Sequence, residues 1–194
     1  MKNSKLNNIS KLFILFMIYS FFGYLYEILY ETFLEHWTYM PREFFRGPIC
    51  PIYGIGGIII FLVFRKLIES KNINLIVKAL IIFLGTFFIS SIIEYIASYI
   101  LEMFTCSWPW QSYVDYPLNF GGRVALPTSI KFGVLGVVFV LLLNDLKNKF
   151  FDFLESKNLI YKVALVLLLI FVLDFVFAII MPTGVKLNVE RTKW

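Results

Sequence analysis

The chain has 194 residues, of which 59% are hydrophobic and only 16% charged, with a mean hydropathy of +0.78 and a formal net charge of +5. Soluble domains carry about 25% charged residues, so this balance excludes a soluble enzyme or nucleic-acid-binding module and points to an integral membrane protein. A spanning helix takes about 20 residues, so the length suits one bundle; a single domain over residues 1–194 is expected, with no internal repeat.

The N-terminal stretch places Lys2, Lys5 and Lys11 before an apolar run. It resembles a signal peptide but lacks a small-residue cleavage site, so it reads as an uncleaved first span over residues 12–30. Glu27 and Glu31, four residues apart, share a helical face with Ser20 and Tyr24. Residues 32–45 carry the one histidine, His36, together with Trp37, Tyr39, Arg42 and Glu43, a composition suited to the membrane interface or a re-entrant approach. His36 has no nucleophile or ligand-spaced partner and reads as interfacial.

The run RGPICPIYGIGG, residues 46–57, then interrupts the apolar pattern with two prolines and three glycines. Proline removes a backbone donor and glycine permits close approach. A broken backbone at membrane depth survives only where protein or water satisfies it, so this stretch is expected to wall a cavity with Arg46 at its mouth. A second span follows over 49–64, stopped by Arg65 and Lys66, and a third over 79–101 with Glu94 inside it. Residues 102–127 form a long loop dense in Trp, Tyr and Pro that is expected to fold onto the bundle.

A fourth span over 124–143 includes Lys131, which must snorkel or pair. Residues 144–162 set Leu146, Phe150, Phe153 and Leu154 opposite Lys147, Lys149, Asp152 and Glu155, the pattern of an interfacial helix. A fifth span over 163–181 contains Asp174, which would pair with Lys131 or an arginine. The expected fold is therefore an all-α polytopic transmembrane helix bundle of about five spans, with a Pro/Gly-broken or re-entrant segment and one cytoplasmic interfacial helix.

Lys plus Arg counts between spans run three, two, four, one, four and three. This alternation puts the N-terminus, the 65–78 linker and the 144–162 helix in the cytoplasm. Glu27, Glu31, Glu94 and Asp174 then all fall toward the outer side, facing loops that carry Arg42, Arg46 and Arg123. A charge at the bilayer centre costs about 2.5–3.5 kcal/mol on insertion scales. The economical arrangement is one polar cluster of Glu27, Glu31, Arg46, Tyr53, Glu94, Asn119 and Arg123, with Tyr24, Arg42 and Asp174 as further members. Such a cluster would bind a polar or charged small molecule, carry protons, or tie loops to helices.

Cys50 and Cys106 lack metal-ligand spacing and read as two small apolar side chains, with a disulfide as the alternative. No metal or cofactor site is expected. The chain has no G-x-x-x-x-G-K-[ST] motif, so any ATP-driven motor would be a separate polypeptide.

At RGPICPIYG, residues 46–54, and again at YPLNFGGR, residues 116–123, the chain resembles a family of small bacterial membrane proteins described as ABC-transporter type IV permeases. Tyr26 and Glu27 match its acidic first helix, and the resemblance extends over about residues 21–144. At Trp110, Gln111, Ser112 and Tyr113 the chain departs from the Trp-Asp-Tyr run the family carries there. The resemblance implies a multi-span protein of the bacterial cytoplasmic membrane and a permease-like transport component. Its expected partners are the lipid bilayer, a separate cytoplasmic ATPase subunit and a second copy of the chain, with no nucleic acid. Two other classes fit the residues. One is an interfacial enzyme acting on a lipid or cell-envelope intermediate through Glu27, Glu31 or His36; the other is a non-transporting assembly factor.

Overall fold

The computed structural model describes residues 2–34, 45–106, 108, 110–142 and 144–180. Helix α1 (Lys2–Leu29) passes into a π-helical turn (Tyr30–Leu34), and α2 (Pro51–Glu69) and α3 (Leu75–Thr105) follow. A 3-10 turn (Gln111–Asp115) leads to a short antiparallel ladder of β1 (Asn119–Phe120) and β2 (Val124–Ala125), with Asn119 opposite Ala125 and Phe120 opposite Val124. Then come α4 (Leu126–Val137), its π-helical extension (Val138–Leu142), α5 (Asn144–Ser156) and α6 (Ile160–Ile180).

Among the described residues, four helices are long and apolar enough to cross a membrane: Lys5–Leu29, Pro51–Glu69, Leu75–Met103 and Ile160–Ile180. The stretches Leu126–Leu141 and Leu146–Ser156, bent by 46° relative to each other, make a fifth if the pair counts as one span. At 1.5 Å per residue, α4 with its extension reaches about 25 Å, somewhat short of a hydrocarbon core of about 30 Å. The expected all-α polytopic architecture is present. Its first helix starts about ten residues before the apolar run, because nothing in Lys2–Lys11 breaks the helix.

Helix ends follow local chemistry. The Asn74 side chain caps α3 by accepting from the Ile76 backbone N–H at 2.8 Å. Cys106, at φ 57°, closes the same helix with its N–H on the Glu102 carbonyl. The Lys78 ammonium donates to the Ile68 and Ser70 carbonyls at the end of α2, satisfying acceptors that a helix C-terminus leaves open.

The chain divides into two compact units, residues 1–58 with 151–194 and residues 59–150. In the first, Met17, Phe45 and Ile49 form a buried cluster flanked by Phe13, Phe16, Leu167 and Phe171. The Phe45 and Phe171 rings lie 5.1 Å apart, and Phe16 meets Phe171 edge-on at 5.8 Å. Between spans, packing rather than water exclusion holds helices together, and small residues let backbones approach. At Gly54 an added Cβ would collide with the Ser20 hydroxyl and the Phe16 ring. In the second unit, α3 and α4 meet where Gly136 faces Thr86, and Ser91 Oγ lies 2.8 Å from Ser129 Oγ.

Helix α5 departs from the expected single stripe. Phe151 and Leu154 are buried, whereas Leu146, Phe150 and Phe153 are exposed. The two sets lie on adjacent helical faces one residue out of step, so the helix has a packed face and an outward apolar face. Lys147 extends over the Phe61 ring at 4.2 Å. Burial and the Arg65 charge lower its pKa, partly opposed by Glu69.

Candidate functional site

In the first unit the site is built from a short non-helical entry into α2. Phe45, Ile49 and Cys50 are buried there. Backbone donors at such a place need acceptors, and each one from residue 46 to residue 51 has one. The Arg46 N–H donates to Asp174 Oδ1 at 3.1 Å, and the Gly47 N–H to both Asp174 oxygens at 2.9 and 3.0 Å. The Ile49 N–H reaches the Gly47 carbonyl at 2.7 Å and the Cys50 N–H the Ser20 carbonyl at 3.1 Å. Pro48 and Pro51 have no N–H, and Pro51 opens α2 at a position where none is required.

The break expected in RGPICPIYGIGG is thus confined to the residues before Pro51. Gly54, Gly56 and Gly57 belong to a regular helix. Asp174, expected to pair with Lys131 or an arginine side chain, instead caps backbone N–H groups through its carboxylate. An exposed pair of amide donors is an anion site, and here the chain fills it from α6.

Two residues into α2, the Tyr53 hydroxyl donates to Glu27 Oε1 on α1. Gly23, one turn before Glu27, makes room for the Tyr53 ring, since a Cβ there would overlap it. Tyr26 lies beside both, its ring 6.1 Å from that of Tyr53 and 5.6 Å from that of Tyr30. Sequence spacing put Glu27, Tyr24 and Ser20 on one face. Tyr24 and Glu27 are half-buried, and Ser20 is fully buried.

In the second unit the aromatic loop folds onto the C-terminal half of α3. Arg123 is the anchor. Its guanidinium carbon lies 3.9 Å from the Tyr99 ring centre and 4.1 Å from that of Trp108, a cation–π sandwich. Its nitrogens donate to Ser98 Oγ at 3.1 Å and to Glu102 Oε2 at 2.5 Å. The Trp110 indole donates to the Arg123 carbonyl at 2.8 Å and the Trp108 indole to the Gly122 carbonyl at 3.2 Å. Asn119 is consumed by the turn: its amide donates to the Val114 and Tyr116 carbonyls and accepts from the Gly122 N–H at 2.9 Å. Gly121 and Gly122, at φ 60° and 65°, supply the left-handed backbone that this turn needs.

Glu94, buried on α3, accepts from the Tyr113 hydroxyl at 2.9 Å. Lys131 stands 6.0 Å from the Tyr116 ring centre. Of the expected cluster, Glu27 and Tyr53 meet in the first unit, where Asp174 meets the Arg46 backbone. Glu94 and Arg123 belong to the second, linked through consecutive turns of α3. The Glu31 side chain, Arg42 and His36 lie outside the described residues. Cys50 and Cys106 are free thiols, the first buried and the second exposed.

Sequence reasoning missed Tyr113, Glu102, Trp108 and Tyr99. Glu102 could have been found, since Glu94, Ser98 and Glu102 follow one another at the four-residue spacing of one helical side.

Apolar helices of spanning length in series, with Glu27 and Glu94 each under a tyrosine hydroxyl, define a polytopic α-helical membrane protein. The chain belongs to the family described as "Putative ABC-transporter type IV", whose model matches residues 14–179. Comparison with curated proteins and with solved structures finds no match.

Proposed function

We propose that the chain is the permease-like, membrane-embedded component of a transporter, with an outward-facing polar cavity for a small polar or charged solute. The observation that carries this reading is the Glu27 carboxylate under the Tyr53 hydroxyl, where α2 enters the membrane through a non-helical segment. Ionisable groups within spanning helices are costly and tend to mark substrate or ion routes, and the family supplies the transport class. Glu31, Arg42 and Arg46, members of the sequence cluster from the same unit, would line or brace that cavity.

In this reading the N-terminus and α5 face the cytoplasm of a bacterial cell, and the outward apolar face of α5 receives a separate ATPase subunit. Purification in mild detergent followed by mass spectrometry tests the partnership. An ATPase should co-purify with the wild-type chain and be lost with Phe150→Asp. Recovery of the chain alone from its native membrane would overturn it. Single-cysteine labelling at Asn119 and Asn148 should report opposite sides of the membrane; labelling of both from outside intact cells would overturn the orientation.

A further inference from the structure

We propose that the chain carries two copies of one helix–loop–helix segment, and that Glu27 with Tyr53 in the first copy and Glu94 with Tyr113 in the second are equivalent proton-binding sites. This rests on the transport reading and names the ion that the polar groups handle.

The same landmarks recur in the same order. A lysine (Lys11, Lys78) precedes an apolar stretch, and a hydroxyl residue followed by two phenylalanines comes next: Ser20, Phe21 and Phe22, then Thr86, Phe87 and Phe88. The glutamate stands seven residues after Ser20 and eight after Thr86. An arginine (Arg46, Arg123) then precedes the proline that opens the second helix (Pro51, Pro127), and a glycine stands six residues beyond each proline (Gly57, Gly133). The first helices are offset by 66 residues at the hydroxyls and the entries by 77 at the arginines. The copies differ in loop length, which hides them from any search at a fixed period.

Structure adds two correspondences. Ser20 and Thr86 are almost wholly buried, at 0% and 1% exposure, and among the described residues their hydroxyl oxygens have no hydrogen-bond partner. Each faces a glycine of its copy's second helix, where a Cβ would strike that oxygen: Gly54, one helical turn beyond Pro51, and Gly136, between two and three turns beyond Pro127. An unpaired buried hydroxyl costs about 1–3 kcal/mol. Its appearance at the same landmark in both units, set into the same kind of notch, is what shared descent from one segment would leave.

The second correspondence is chemical. In each copy the glutamate two helical turns beyond the hydroxyl accepts from a phenol. The phenol comes from a different place each time, the start of α2 for Tyr53 and the loop for Tyr113. The carboxyl is the shared element, and the donor was supplied twice. A proton from water converts the carboxylate to the carboxylic acid while the phenol continues to donate to the other oxygen, so the site can load and unload without losing its hydrogen bond. Beside Glu27 stand Tyr53 on α2 and Tyr26 on α1, with Tyr30 of the π-helical turn against Tyr26 and the Cys50 carbonyl accepting from the Tyr53 N–H. Beside Glu94 stands Tyr113 of the loop, with Tyr116 against Tyr113 and Lys131 of α4 near Tyr116, while one turn along α3 Ser98 accepts from Arg123.

The test is pH-difference infrared spectroscopy of the full chain in lipid nanodiscs, read in the carbonyl stretch of protonated carboxyl groups. Two components should vanish selectively, one in Glu27→Gln and the other in Glu94→Gln, and both in the double variant. Tyr53→Phe and Tyr113→Phe, which keep both carboxyls, should each shift the frequency of one component, so the result survives a poorly folding Gln variant. Spectra unchanged by either Gln variant would overturn proton binding. A component lost in only one of them would overturn the equivalence. The measurement requires no ATPase and no transported solute, so its failure leaves the transport reading standing.

Discussion

The two units use the same residue types for opposite purposes. In the first, an acid on α6 holds a stretch of backbone: the Asp174 carboxylate takes the N–H groups of Arg46 and Gly47. In the second, an arginine holds a loop: Arg123 is pressed between Tyr99 and Trp108 and paired with Glu102. A carboxylate suits bare amide donors and a planar guanidinium suits aromatic faces and a carboxylate. Charged groups in a membrane protein therefore need not gather into one cluster, since each can be absorbed by whatever irregular backbone, aromatic loop or single counter-charge lies nearest. Glu27 stands apart from these bracing groups, because its phenol partner Tyr53 lies on a regular helix, whereas Glu94 takes its phenol from the loop.

If Arg123 is the pin of the second unit, Arg123→Ala should give the largest loss of stability, about 3 kcal/mol, because it removes the stack and leaves Glu102 unpaired. Arg123→Lys should recover only part, since an ammonium lacks the flat face. Thermal unfolding in detergent measures both, and equal stability of Lys and wild type would show that charge alone suffices.

Gly54→Val should follow at about 2 kcal/mol, from overpacking against Ser20 and Phe16. Shortening the opposing residue with Ser20→Gly should restore part of the loss, and a lack of any rescue would place the strain elsewhere. Asp174→Asn should cost about 1 kcal/mol, since one amide oxygen replaces two carboxylate acceptors at the Arg46 and Gly47 N–H groups. Amide exchange at residues 46 and 47 should rise in that variant while the Arg123 loop remains protected.

The smallest effect concerns Glu155. Its pKa is lowered first by the hydrogen bond from Lys11, at 2.7 Å, and then by that from Asn7, at 3.0 Å. A lowered folded-state pKa means the contribution is present above the ordinary carboxylate range and fades as pH falls through the folded value. The pair is exposed, so the change should be slight. Lys11→Met should flatten the acid limb of the stability profile, and an unchanged limb would remove the pair from the account.

Much of this architecture was legible in the sequence. The run of apolar segments gave the spans, and the charge alternation in 144–162 marked α5. The aromatic content of 102–127 suggested a loop folded onto the bundle, and the structure lays it on α3. Partner choice was not legible. Insertion cost says that Asp174 and Arg123 must be satisfied but does not name the partner, and backbone amides carry no signature in a residue list. The prolines and glycines of 46–57 looked like one broken element; only the helix start at Pro51 separates the break from the glycine contact. Likewise, the unequal loops before Arg46 and Arg123 would conceal the proposed correspondence of the two segments.

Under the proposed transport role Glu27 serves function, whereas Asp174 and Arg123 serve the fold. Glu27→Gln keeps an acceptor for the Tyr53 hydroxyl, so the direct measurement is its unfolding temperature and ATPase co-purification beside the solute uptake of the same preparation in vesicles. Unfolding and assembly should be unchanged and uptake abolished. A fall in uptake that merely tracks a fall in stability would contradict that role and make Glu27 one more brace.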